Sequence, residues 1–550
     1  MLITYRVKYR YPLLAAGLCL LLNACYQPKE ADLIVHNAYI TTMDLAMPTA
    51  QAMAVVDGRI VELGPEREIM NRYRSRQKLD ARKQHIYPGF IDAHSHFMGY
   101  ATNKAELNLY GVESEAAMYE RVQAFAKWSQ RHWIIGRGWD QNLWPGARWP
   151  TRAALDSLFP DRPVYLMRID GHAVLVNGEA LRRAGIDGRT ALPGGRVLLD
   201  ANGEPTGVLI DHAFESVRAV IPPLSRAELI QLLADAEADC FSAGLTSVTD
   251  AGLPVNSVEL LDSLHRAGLL RIRINAFLSP TNEAQAYMQR GPYTSDRLTV
   301  RTIKLYADGA LGSRGALLKA PYSDEPSQQG LALMSQAEFN LWAERCVAHG
   351  YQLATHAIGD SANAWVLRTY ANHLGGMNDL RWRVEHAQVV SPADRALFGQ
   401  YAIIPSVQPV HATSDAPWSP DRLGEGRINH GYAYASLERT LGVLPLGTDF
   451  PVEPIDPLDT YFAAVTRKKP RNPEAAAFLP NEALSRESAL KGMTLWAAMA
   501  AFEENQKGTL APGMWADFVV VNRDLLTASE VELAKARVVE TWLAGERVSR

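Results

Sequence analysis

Cysteine is scarce in this chain, with four in 550 residues. So few in so long a chain exclude a disulfide-built scaffold. Cys240 and Cys346 fall inside helix-like patterns and read as buried thiols. A basic excess is also missing. The formal net charge is −4, whereas a nucleic-acid-binding surface carries surplus Lys and Arg, so no nucleic-acid partner is expected. Low-complexity tracts and solenoid-period repeats are absent. The N-terminal apolar run, Pro12–Leu22, is too short to span a bilayer comfortably. What is present is ordinary for a soluble globular protein: 47% apolar and 21% charged residues. The length exceeds what one simple core holds and predicts a large domain with at least one smaller one.

The first residues have the texture of a targeting segment. Arg6, Lys8 and Arg10 precede the apolar run, and Leu22-Asn23-Ala24-Cys25 follows it. This resembles a bacterial lipoprotein signal, which implies removal of residues 1–24, a lipid on Cys25 and attachment to a membrane. An uncleaved anchor, or an ordinary signal peptide with a chance cysteine, are the alternatives. Cleavage would remove three basic and no acidic residues and take the charge from −4 to −7. Tyr26 follows Cys25, where an aspartate would favour inner-membrane retention, so the expected location is the outer membrane of the cell envelope.

From Ala31 to about Gln84 the pattern is strand-like. Asp57-Gly58 between apolar runs is a hairpin signal. The C-terminus repeats that texture in Trp515–Val521 and Arg537–Leu543. The two ends are therefore expected to meet as one small β-sandwich, made of 25–86 and 501–550. Between them, 87–500 alternates strand-like runs with amphipathic helices. The runs are Ile86–Ile91, Thr246–Thr249, Ile272–Phe277, Thr302–Tyr306, Gln352–Thr355, Trp382–Glu385, Ala402–Val407 and Leu444–Gly447. Eight such units make the expected fold class α/β, a (β/α)₈ barrel. The gap after the first strand is too long for a βα loop and predicts an insertion at about 100–225. It holds Trp128, Trp133, Trp139, Trp144 and Trp149. These read first as the insertion's own core and second as a pocket wall.

Chemistry concentrates at strand ends. His94 and His96 sit two apart after a strand pattern, so both imidazoles point to one side. Lys304, His356, His386 and Asp449 each end or closely follow an apolar run. Barrel enzymes place their catalytic groups at the C-terminal ends of strands, so all six are expected to face one spot. Asp92 points the other way by strand parity and is left out of the ligand set.

In this order the residues resemble the amidohydrolase superfamily, and the wider text its YtcJ-like branch, which includes N-substituted formamide deformylases. The matching segments are Pro88–His96, Gly171–Asn177, Lys304–Ala316, His356–Asp360, Val384–Gln388, Gly447–Val452 and Gly508–Phe518. The resemblance implies that His94, His96 and Asp449 hold one divalent metal and that His356 and His386 hold a second. Lys304, carboxylated, would bridge them. Zinc suits these donors, although manganese and iron accept them too. A plain ammonium pairing with Asp308 or Asp449 beside one metal is the alternative for Lys304.

The implied reaction is hydrolysis of an amide or formamide-type bond of a small molecule by a metal-activated hydroxide. Asp449 would carry the proton to the leaving amine. His172 is a candidate for binding the substrate carbonyl, or a structural histidine. Arg314 is a candidate anion clamp, or the partner of an acid. His411 and Asp415 follow the seventh strand as pocket-edge candidates, and the other histidines lack a motif. The same site would also serve an ester or lactone hydrolase or a deaminase. A non-catalytic surface lipoprotein is the remaining alternative.

Overall fold

The computed structural model describes residues 28–129, 131–141, 144–169, 173–190 and 195–549. They form two compact units. The first comprises the described residues up to Ser95, Cys240–Val258 and those from Ile272 onward. The second comprises His96–Asp239 and Glu259–Arg271.

The first unit contains the barrel expected from the alternating pattern. Seven parallel strands follow one another: Phe90–Ser95, Leu245–Leu253, Arg273–Leu278, Leu298–Tyr306, Gln352–Ala357, Arg383–His386 and Ile404–Ser406. No regular strand forms at the eighth position. Instead Leu446 makes a parallel bridge to Val407. The Ala93 N–H donates to Leu446 O at 3.1 Å, and the Asp449 N–H to His94 O at 2.8 Å. The barrel therefore closes through a few backbone hydrogen bonds, and the closing segment carries Asp449. Helix signals set the strand phases. Ser335 caps the helix Gln336–His349 by accepting from the Glu338 N–H. Gly350, at φ 67°, ends that helix and starts the run to His356.

The chain ends form two sheets of the same unit. One is ordered Arg59–Gly64, Ala52–Val56, Leu33–His36, Gln77–Asp80. The other is ordered Glu546–Ser549, Val538–Leu543, Phe518–Val521, His85–Pro88, Tyr39–Thr41, Thr49–Ala50. Val35, Met53 and Ile60 from the first share a core with Ile86, Phe518 and Trp542 from the second. Asp57 and Gly58, at φ 51° and 72°, form the tight turn their sequence signalled.

The expected first barrel strand, Ile86–Ile91, is in fact two strands. His85–Pro88 pairs with Phe518–Val521 in the sandwich, and the barrel strand starts at Phe90. Gly89 is the joint. A Cβ there would lie 2.3 Å from Thr246 Oγ1, so no side chain fits.

The second unit has a six-stranded sheet. Its order is Leu107–Asn108, Ile134–Trp139, Val164–Arg168, Ala173–Val176, Pro205–Asp211, Gly195–Leu199, and the first three run parallel. Met118, Val122 and Phe125 of one helix cover one face. Ala180 and Leu181 of another cover the opposite face. Trp133, Trp139 and Trp144 are core residues, whereas Trp128 and Trp149 are exposed. The tryptophans thus divide, with three filling the unit's own interior.

Candidate metal centre

His94 ends the first barrel strand but one residue and is fully buried. Its Nδ1 meets Glu385 Oε2 at 2.5 Å. A carboxylate there fixes the tautomer, with the proton on Nδ1 and the lone pair on Nε2. That Nε2 lies 3.7 Å from Asp449 Oδ1 and 3.4 Å from Lys304 Nζ. His386 ends the sixth strand, and its Nδ1 meets Gln408 Oε1 at 2.7 Å, which leaves Nε2 for a ligand. Among the described residues His94, His386 and Asp449 form the group suited to a metal, with one ligand atom each and all within 4.8 Å of one another. The His356 ring stands 4.5 Å from that of His386, centre to centre. Among the described residues its buried Nε2 has no hydrogen-bond partner, with Asp308 Oδ1 3.8 Å away. An orphan buried nitrogen beside two tautomer-fixed imidazoles and a carboxylate fits a divalent cation.

Electrostatics agree. Burial pushes His94 down to about 4, with Lys304 adding to the effect, and pushes His356 down to about 3. Burial also holds His386 well below the ordinary histidine value. All three are therefore neutral imidazoles at pH 7, the form that binds metals. Burial brings Lys304 down to about 8. Glu385 resists burial because Arg383 and His94 hold its carboxyl well below the usual range.

The backbone is strained at this point. His386 has φ 70° and Asp449 φ 64°, both left-handed. Such non-glycine positions cost about 1–3 kcal/mol each and gather at functional sites. Gly447 lets the closing segment approach, since a Cβ there would lie 2.6 Å from His94 N. Asp92 accepts from the His94 and Thr448 N–H groups and from Thr448 Oγ1. It ties the first strand to the closing segment, away from the ligand atoms.

Five of the six strand-end residues, His94, Lys304, His356, His386 and Asp449, gather in the first unit. His96 is the first residue of the second unit, where it precedes the helix Phe97–Asn103. His172 and Cys25 lie outside the described residues. Arg314 pairs with Asp324 through Nε at 3.2 Å and Nη2 at 3.0 Å. His411 stacks on His386 with ring centres 5.9 Å apart, and its Nε2 stands 3.6 Å from Asp449 Oδ2. Sequence reasoning missed Glu385, Arg383 and Gln408. Glu385 precedes His386, and on a strand it belongs to the neighbouring ligand rather than to its own.

This chain belongs to the amidohydrolase family, whose model matches residues 77–549. Relatives place it in the branch expected from the motifs. YtcJ of Bacillus subtilis, which carries the name of an amidohydrolase, is 32% identical over 537 residues, covering 94% of this chain and 99% of that protein. The N-substituted formamide deformylase of Arthrobacter pascens is 25% identical over 542 residues, covering 94% and 97%. An uncharacterised metal-dependent hydrolase from Pyrococcus furiosus has a similar structure, with TM-score 0.76 and 28% identity over 90% of this chain and all of that one.

Proposed function

We propose that this protein is a metal-dependent hydrolase that cleaves a non-peptide carbon–nitrogen bond, of amide or formamide type, in a small molecule. The observation that carries the reading is the buried His94–His386–Asp449 group with His356 Nε2 beside it. His94, His96, Lys304, His356, His386 and Asp449 are the residues assigned to hold one or two ions, with zinc the metal of choice. A divalent ion held there supplies Lewis acidity and lowers the pKa of water from 15.7 to about 7. The relative that acts on N-substituted formamides supports the bond type.

The chain's own groups handle the proton. Asp449 accepts it from the attacking water and returns it to the leaving nitrogen, which would otherwise depart as a very poor amide anion. His411, 3.6 Å from Asp449 Oδ2, keeps that carboxylate turned into the site. Lys304 is assigned as a carbamate bridge. It is buried, its Nζ meets His94 Nε2 at 3.4 Å, and among the described residues Asp308 and Asp449 pair with histidines rather than with it. An unpaired buried ammonium is costly, whereas its neutral form adds carbon dioxide to give an anion with two oxygen donors. Cys25 is assigned as the lipid-bearing residue on the signal pattern before it, with the enzyme on the outer membrane of the cell envelope.

The test is a substrate panel run with metal analysis. The expected outcome is bound metal and faster hydrolysis of N-substituted formamides and simple amides than of esters, lactones or amino-heterocycles. Preference for an ester or a C–NH₂ group would reassign the bond. No metal, and no hydrolysis with added zinc, would leave a non-catalytic surface protein.

A further inference from the structure

A second cavity, of about 460 Å³, is built wholly from residues of the second unit. That volume is in the range of small-molecule sites. None of the assigned metal ligands lines it. Its position follows from strand pairing. Ile135 pairs with Tyr165 and Arg137 with Met167 on neighbouring parallel strands, so these four share one face. Open α/β sheets bind ligands toward the carboxyl ends of parallel strands, and Arg137 and Met167 lie in the C-terminal halves of theirs.

Two polar groups on this wall are unspent. Tyr165 is 4% exposed, and among the described residues its buried Oη has no hydrogen-bond partner. Leaving such a hydroxyl unmatched is unfavourable. Arg137, among the described residues, makes no ion pair and no side-chain hydrogen bond. The other two arginines of the cavity keep loose partners: Arg131 with Glu228 at 3.8 Å and Arg218 with Glu215 at 3.6 Å. Glu106 is the cavity's carboxylate. With Glu106 also lining the cavity, a singly charged anion is better matched than a doubly charged one. Ile135, Met167 and Ile221 supply apolar lining, and Thr102 and Asn103 add polar side chains.

We propose that the second unit carries a binding site of its own for a small organic monocarboxylate with an apolar body. The carboxylate accepts hydrogen bonds from Tyr165 Oη and the Arg137 guanidinium, and the apolar body lies along Ile135, Met167 and Ile221.

Calorimetric titration of the full chain with benzoate and with hexanoate tests this, with benzamide as the neutral control. The titrations are run on zinc-loaded and on chelated protein. The expected result is one saturable site for at least one carboxylate, unchanged by chelation and not seen with benzamide. Tyr165→Phe and Arg137→Met should each weaken it roughly tenfold or more, as expected for lost hydrogen bonds to a charge. Arg137 is exposed and Tyr165→Phe removes only a hydroxyl, so both variants should fold, with circular dichroism as the check. Absence of saturation by both carboxylates overturns the proposal. So does binding that disappears on chelation, or binding indifferent to both substitutions.

Discussion

Replacing Glu385 by Gln strikes the metal centre without touching a proposed ligand. Glu385 Oε2 accepts from His94 Nδ1 at 2.5 Å, and its Oε1 lies 2.7 Å from Arg383 Nε. All three side chains are fully buried. The amide has no charge and one acceptor oxygen where Oε2 meets both His94 Nδ1 and Arg383 Nη2 and Oε1 meets Arg383 Nε, so the counter-charge is lost and one of these contacts goes unmatched. If His94 loses its acceptor, the Nε2 lone pair is no longer fixed toward the site. Losing such a partner weakens metal binding about 10–100-fold, or about 1.4–2.7 kcal/mol. If Arg383 loses its counter-charge, breaking the buried pair costs about 3–5 kcal/mol of stability, against a total of about 5–15 kcal/mol for a typical domain. Chelator competition with a zinc dye measures the first quantity and urea unfolding the second. A folded Glu385→Gln variant with zinc affinity within a factor of about two of the parent would refute the assignment of Glu385 to His94.

Asp449→Asn should lower turnover by about 10²–10⁴-fold, the usual share of a general acid–base group, in a protein whose circular dichroism is unchanged; near-parental turnover would remove Asp449 as the proton carrier. Chelated protein reloaded with zinc in buffer stripped of carbon dioxide should regain less activity than protein reloaded with bicarbonate, and equal recovery would argue for an unmodified Lys304. Asp415 is raised from 3.8 to about 6, chiefly by burial, so the fold favours its protonated form. That contribution is full below pH 3.8 and is lost as pH rises through about 6. Asp415→Asn, neutral throughout, should therefore stabilise the protein by about 1–3 kcal/mol at pH 8 and lose most of that gain by pH 4.5, read from urea midpoints at the two pH values. Cys25→Ser should move the protein from the membrane fraction to the soluble one; continued membrane association would point to an uncleaved helix.

The barrel was legible because strand-end residues are chemically conspicuous. An imidazole, lysine or aspartate closing an apolar run is visible without coordinates, and so His94, Lys304, His356, His386 and Asp449 could be gathered in advance. What supports them was not. Glu385 stands beside His386 in the chain, yet strand alternation sends it to His94. Gln408 follows the seventh strand and looks like any polar loop residue. The split of the first strand at Gly89 was hidden because Ile86–Ile91 reads as one apolar run, although Pro88 and Gly89 mark the join. The closing segment reads as a full strand from composition, but only Leu446 bridges. Its remaining backbone is turned by the left-handed Asp449, which no propensity announces.

The Gly89 joint has a consequence for how the enzyme is made. The strand that delivers His94 is continuous with a sandwich strand whose Tyr87 hydroxyl donates to Asp524, 437 residues further along the chain. That sandwich strand is paired on one side by Phe518–Val521. Until the ribosome has released those last residues, the support of the first barrel strand is incomplete. A product truncated before Phe518 would contain His94, Lys304, His356, His386 and Asp449 and still lack the edge that anchors the first of them. Stable metal binding is therefore expected only of a chain that includes Phe518–Val521, and the metal content of a chain truncated before Phe518 is the measurement that checks it.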